Sequence, residues 1–262
     1  MTEPDKLRLG GMALRNGLLV HGPTHWAAAV RTQGGEVKVA SGKKPRLRAA
    51  DGEPGVRGVV RLGEAMVVIP LVKRTLPDAR LPFQDVSVLT VAAGATVAGA
   101  VARKRVRGLG GETIAALASG APALFALRGG ELAAYHGVEH KSIAAYEQGT
   151  EDSSAASKEH ERCGSHLVAP LLASNLAGTL LLRQALEKPG PMAGGAVALA
   201  STAVAVEVFA WCERNADTRV AQALRRPGFE IQRLIGTREP DERQLEVGRA
   251  ALAEILRVEA SN

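Results

Sequence analysis

The sequence predicts an α+β fold: a small β-rich N-terminal region, then a helical, membrane-associated domain with apolar hairpins, then a C-terminal soluble helix. Three observations carry that reading. Short apolar or alternating runs, broken by Gly-Pro and Gly-Gly turns, occupy residues 1–58. Four apolar runs, the first three uncharged, succeed one another across the middle of the chain. A helical pattern of apolar residues follows Pro240. The expected division is 1–58, 59–226 and 227–262.

In the first part, Leu18-Leu19-Val20, residues 25–31 and Val37-Lys38-Val39 read as strands. Gly22-Pro23 and Gly34-Gly35 punctuate them. Residues 43–48 form a basic loop. His21 and His25 flank a turn, where a surface role is commoner than metal ligation. Met1 to Arg8 mixes acidic and basic residues without an apolar stretch, so no signal peptide is expected.

The apolar runs of the middle part are 86–102, 113–127, 167–182 and 191–212. A full membrane crossing needs ~20 apolar residues, and the first three runs fall short. Tilted hairpins, re-entrant segments and buried helices all satisfy such lengths, but four in succession favour a membrane. Basic clusters flank them: Lys73, Arg74 and Arg80; Arg103, Lys104, Arg105 and Arg107; Arg214, Arg219, Arg225 and Arg226. Four simple crossings separate the second cluster from the other two, which the positive-inside rule disfavours. A first hairpin that dips in and returns keeps every cluster on the cytoplasmic side; both models stay open, the hairpin preferred. The expected location is the cytoplasmic membrane. In the last part, Leu245, Leu252, Ile255 and Leu256 form an apolar stripe opposite Glu242, Glu246, Arg249 and Arg257.

Composition narrows the partners. Hydrophobic residues make up 46 % of the chain but aromatics only 3 %, so the apolar content is mainly Ala, Val and Leu. A formal net charge of +6 without stacking aromatics suits anionic membrane lipid, or a membrane-protein partner, better than nucleic acid. Two cysteines provide no disulfide framework and suit a reducing compartment.

The chemistry concentrates in Tyr135-His136-Gly137-Val138-Glu139-His140-Lys141. His136 and His140 are four apart and share one helical face with Glu139. This H-x-x-E-H order is that of inverted zinc sites, where two imidazoles ligate and the carboxylate handles a proton. Three candidates complete the ligand set. Glu207 is the single charge in an apolar run, a costly placement that calls for a partner. His160 and Cys163, spaced i, i+3, carry donors that zinc favours. His136, His140, His160 and Cys163 together make a closed, structural site; three of them plus water make an open, catalytic one.

These residues, followed by Tyr146-Glu147-x-Gly149 and His160-x-Arg162-Cys163-Gly164, resemble the YqhQ-like bacterial family. Pro227 to Leu234, Thr237 to Asp241, Gly10-Gly11 and Arg57-Gly58-Val59-Val60 extend the resemblance over nearly the whole chain. It implies a metal-dependent membrane enzyme of uncharacterised reaction. Met12 stands where that family has Gln, and Arg15-Asn16 where it has Met-Glu. The expectation is a membrane-associated hydrolase using zinc or another divalent metal, with Glu139 as general base. The rival is a non-enzymatic membrane assembly or translocation factor with a structural metal. A third reading is a soluble enzyme with buried Ala-rich helices.

Overall fold

The computed structural model describes residues 6–46, 56–106, 108–128, 130–150, 152–186 and 189–261. The start of the mixed-charge N-terminus, the end of the basic loop at Leu47 and Arg48, and Arg107 lie outside the described residues, as does the side chain of Arg57. Four strands come first: β1 (Gly10–Leu14), β2 (Gly17–His21), β3 (His25–Arg31) and β4 (Val37–Lys43). The helices follow as α1 (Val56–Thr75), α2 (Val86–Arg105), α3 (Leu109–Ser119), α4 (Ala121–Leu127) and α5 (Glu131–Gln148). Then come α6 (Val168–Ala185), α7 (Pro191–Arg214), α8 (Arg219–Ile231) and α9 (Glu242–Ala260).

The strands form one antiparallel meander in chain order. Its period-two pattern is apolar on both faces. Leu18, Val20, Ala27 and Ala29 pack in one core with Tyr135 and Val138 of α5 and Leu245, Ala251 and Ile255 of α9. Leu14, Leu19, Trp26, Ala28 and Val30 pack on the other side with Val68 and Val72 of α1. Burying each large apolar side chain contributes roughly 1.5–3 kcal/mol, so the two faces anchor three helices from distant parts of the sequence.

Helix α1 escapes a reading by apolar runs because Arg61, Glu64, Lys73 and Arg74 interrupt it and Pro70 lies inside it. One side of it packs on the sheet, while Leu62, Met66 and Val67 remain exposed. Helix α5 is buried from Leu132 through Ala145, apart from His136, which is partly exposed. Gly130 and Gly149, at φ 81° and 72°, bound it in conformations that favour glycine. A side chain at Gly248 of α9 would come within 2.4 Å of Val138, so this glycine sets how closely α9 approaches α5.

Four segments are long and apolar enough to cross a membrane: Val86–Arg105, Leu109–Leu127, Gly164–Ala185 and Met192–Arg214. They exceed the apolar runs because the helices continue into charged residues such as Arg103, Lys104 and Arg105. Large apolar side chains, including Val86, Val97, Leu117, Leu181 and Leu199, point outward along them. The segments pair as two hairpins. In the first, Gly99 of α2 lies against Ala115 of α3. In the second, Ser174 of α6 donates to the Ser201 carbonyl of α7 at 3.2 Å, and Gly178 abuts Val197.

The first hairpin does not turn back early. Buried Glu112, in the first turn of α3, pairs with Arg103 of α2 at 3.0 Å and with Arg183 near the end of α6 at 2.6 Å. Both hairpin turns therefore lie at one level. The Arg103–Arg105 cluster sits at the end remote from the sheet, an arrangement that matches simple crossings rather than the dipping hairpin, the two models the sequence leaves open.

Candidate metal centre

The sheet, the open ends of both hairpins and α5 surround a cavity of about 460 Å³. Gly10 to Ala13, Phe83, Ala126, Leu127, Leu132 and Ile143 supply much of its wall, and His136, Glu139, His140 and Cys163 its polar corner. The i, i+3, i+4 spacing on α5 turns His136, Glu139 and His140 toward it. Cys163 comes from the loop before α6, where its sulfur accepts from the Ser165 N–H at 3.4 Å and caps a short 3₁₀ turn, Gly164–Leu167.

Nδ1 of His136 lies 2.8 Å from the Gly236 carbonyl, and Nδ1 of His140 lies 2.6 Å from the Lys158 carbonyl. A carbonyl only accepts, so both Nδ1 atoms carry the proton and both Nε2 atoms carry a lone pair. The His136 Nε2 is 3.4 Å from the Cys163 sulfur. The His140 Nε2 is buried with no hydrogen-bond partner among the described residues. Ligand atoms of His136, His140 and Cys163 all lie within 4.8 Å of one another, so these residues form a group able to hold a metal ion. An orphaned imidazole nitrogen aimed at a second imidazole and a thiol fits that role, and carbonyls on the far nitrogens are the usual orienting partners.

Burial sets the protonation of each group in the apolar cavity. Burial pushes His140 down to about 2, with His136 adding to the shift, so the ring is neutral. Burial pushes the Cys163 thiol up to about 11, so a cation is needed to hold it as thiolate. Burial raises Glu139 to about 7, with His136 opposing. The Glu139 carboxylate makes no hydrogen bond among the described residues and lies against the main chain of Gly11, where a side chain would come within 2.7 Å of it.

His160 stands beside the group but is turned away from it. Its ring centroid is 5.7 Å from that of His140. Its Nδ1 accepts from the Arg162 N–H at 3.1 Å, and its Nε2 lies 3.2 Å from Glu147. Glu207 is half-buried in α7 and is not among the residues lining the cavity. His21 lines the cavity rim, with burial pushing it down to about 4, while Nδ1 of His25 lies 2.8 Å from the Thr24 hydroxyl.

Sequence reasoning missed the supports. A π-helical turn, Gln232–Gly236, follows α8 and delivers the Gly236 carbonyl to His136. Such turns are rare and cluster at functional sites. Fully buried Gln232 accepts from the His160 N–H at 2.8 Å and donates to Ser165 at 2.9 Å, clamping the loop that carries Cys163. Gly137 permits the approach of this layer, because a side chain there would meet the Arg238 carbonyl at 2.3 Å.

Over residues 131–258 the chain matches the family described as "Protein of unknown function (DUF1385)". The matched stretch runs from the start of α5 almost to the end of α9. It contains His136, Glu139, His140, Cys163 and Gln232, so the candidate centre lies wholly within the similarity to this uncharacterised family. No curated protein and no solved structure matches the chain.

Proposed function

We propose that this protein is a membrane-embedded hydrolase that uses a divalent ion, zinc by donor preference, held by His136, His140 and Cys163. The observation that carries the reading is the convergence of two proton-free Nε2 atoms and one thiol on a single point, with each imidazole fixed from behind by a carbonyl. Two nitrogens and a sulfur suit zinc. Three protein ligands beside a cavity correspond to an open site rather than a closed one.

When bound, the ion supplies Lewis acidity, polarising an oxygen of water or substrate. The chain supplies the rest. Glu139 lies on the same helical face and lines the same cavity, placed to accept a proton. The apolar wall limits water, and the absence of side chains at Gly10 and Gly11 makes room for His21 and Glu139 at the cavity wall.

The clusters at the sheet end, including Lys73, Arg74, Arg80, Arg128, Arg214 and Arg219, outnumber those at the hairpin turns, where Glu112 pairs two arginines. By the positive-inside rule this supports a cytoplasmic face for the centre, in the cytoplasmic membrane. The formal net charge of +6 supports anionic lipid as a partner.

Elemental analysis of the purified protein tests the core of the reading. About one divalent ion per chain is expected in the wild type and in Glu139→Gln, and none in His136→Ala/His140→Ala. Complementation of a deletion strain separates enzyme from scaffold. Loss of function in Glu139→Gln with metal and fold retained supports hydrolysis, where removal of a general base costs about 10²–10⁴ in rate. Full complementation by that variant overturns hydrolysis in favour of a structural metal.

A further inference from the structure

We propose that the cavity receives an extended, apolar stretch of polypeptide that adds to the open edge of β1. The inference rests on the hydrolase reading for the fate of the bound chain, but not for its binding.

β1 is an outer strand of the sheet. Gly10, Gly11, Met12 and Ala13 all line the cavity. Successive strand residues point to opposite faces, so a cavity that touches four in a row meets the strand along its edge. The register fixes which main-chain groups face that edge. Leu14 pairs with Gly17 across a two-residue turn, Arg15-Asn16, and so tight a closure makes them a hydrogen-bonded pair. Alternating along the uninterrupted ladder, Met12 and Gly10 also turn their N–H and C=O groups toward β2. Gly11 and Ala13 turn theirs outward. Neither makes a hydrogen bond to another segment among the described residues. Exposed strand edges normally recruit a further strand or are blocked, and unpaired main-chain groups in a mostly apolar cavity are costly.

The surroundings select the occupant. Glu139 lies against Gly11, so the open edge runs directly past the candidate centre. The facing wall is apolar, with Phe83, Leu127, Leu132 and Ile143, which suits apolar side chains projecting from an added strand. Phe83, 59 % exposed, stands in the short turn that leads into the first hairpin, so the mouth opens where the apolar segments begin. A polypeptide leaving or approaching a membrane surface meets these requirements. In the cleavage that follows, water supplies hydroxyl to the acyl carbon, the C–N bond breaks, and the departing amine takes the proton.

The test uses the full-length Glu139→Gln protein in detergent and a short fluorescein-labelled peptide rich in Leu and Val. Binding is read by anisotropy for the parent peptide and for a series carrying one N-methyl group at each successive amide. Strand addition predicts that binding falls about 10-fold or more when methylation removes an amide facing β1, and is retained at the amides between, giving a period of two. Uniform tolerance along the series, or no binding by a protein that carries its metal, overturns the inference and leaves the hydrolase reading standing. Binding of a fluorescent fatty-acyl glycerol with no binding of any peptide overturns it in favour of a lipid. A period-two pattern in protein that holds no metal supports the edge and removes the hydrolase reading instead.

Discussion

At His136 and His140 the far nitrogen decides the near one. Main-chain carbonyls of Gly236 and Lys158 fix the tautomers, and the lone pairs then converge with Cys163. The helical spacing of His136, Glu139 and His140 was legible, since a period of 3.6 is a property of sequence. The carbonyl partners were not, because a main-chain acceptor has no side-chain signature. His160 and Cys163 looked equivalent by spacing. The loop separates them: its turn engages the His160 ring with Arg162 and Glu147 and leaves the Cys163 sulfur facing His136. Two outcomes follow at this scale. Gln232→Ala releases the loop from below, and metal affinity measured by chelator competition is expected to fall about 10–100-fold. His160→Ala, in contrast, should retain the wild-type metal content; a complete loss would make His160 a ligand.

At the scale of elements, amphipathic and apolar periodicity disclosed β2, β3, β4, the four apolar segments and α9, but hid β1, α8 and α1. That helix alternates charge with apolar residues and includes Pro70, so no uncharged run marks it, although its Val68 and Val72 bury one face of the sheet. Close helix contacts give a direct test. Gly248→Ala places a methyl against Val138 and Ser142 and is expected to cost about 1–3 kcal/mol, read as a fall in Tm in detergent. The seam between α9 and β4 predicts a pH response. Hydrogen bonding to Arg257, helped by Ser41, holds the Glu254 carboxyl down at about 2, against a usual value of 4.5. A carboxyl lowered on folding stabilises the fold above pH 4.5 and loses that contribution as pH falls from 4.5 toward 2. Glu254→Gln should therefore flatten the acid limb of the Tm profile across that window and leave the neutral region less affected by pH.

On the scale of the molecule, the two hairpins point away from a head built from both ends of the chain. Their turns share one level through Glu112, Arg103 and Arg183. The sidedness read from basic clusters makes a clear forecast. In intact cells, a membrane-impermeant maleimide should label Arg105→Cys and should not label Arg74→Cys. The opposite pattern would place the centre on the outer side. Extraction should need detergent, given the apolar outer surfaces of the four segments.

The ties between the first strands and the last helix carry a consequence for biosynthesis. Glu259 accepts from the Thr24 and His25 main chain at 2.9 and 2.8 Å, and Arg31 pairs with Glu246 at 2.6 Å, across more than two hundred residues of intervening chain. Glu259 and Glu246 are made long after the strands they hold. The sheet is thus synthesised well before it is completed. In between, both apolar hairpins leave the ribosome while one face of the meander still lacks α9, and the first of them emerges before α5 as well. Insertion is therefore committed before the head can close, and a nascent chain stopped at Pro240 should be membrane-anchored yet open to protease within its first forty residues.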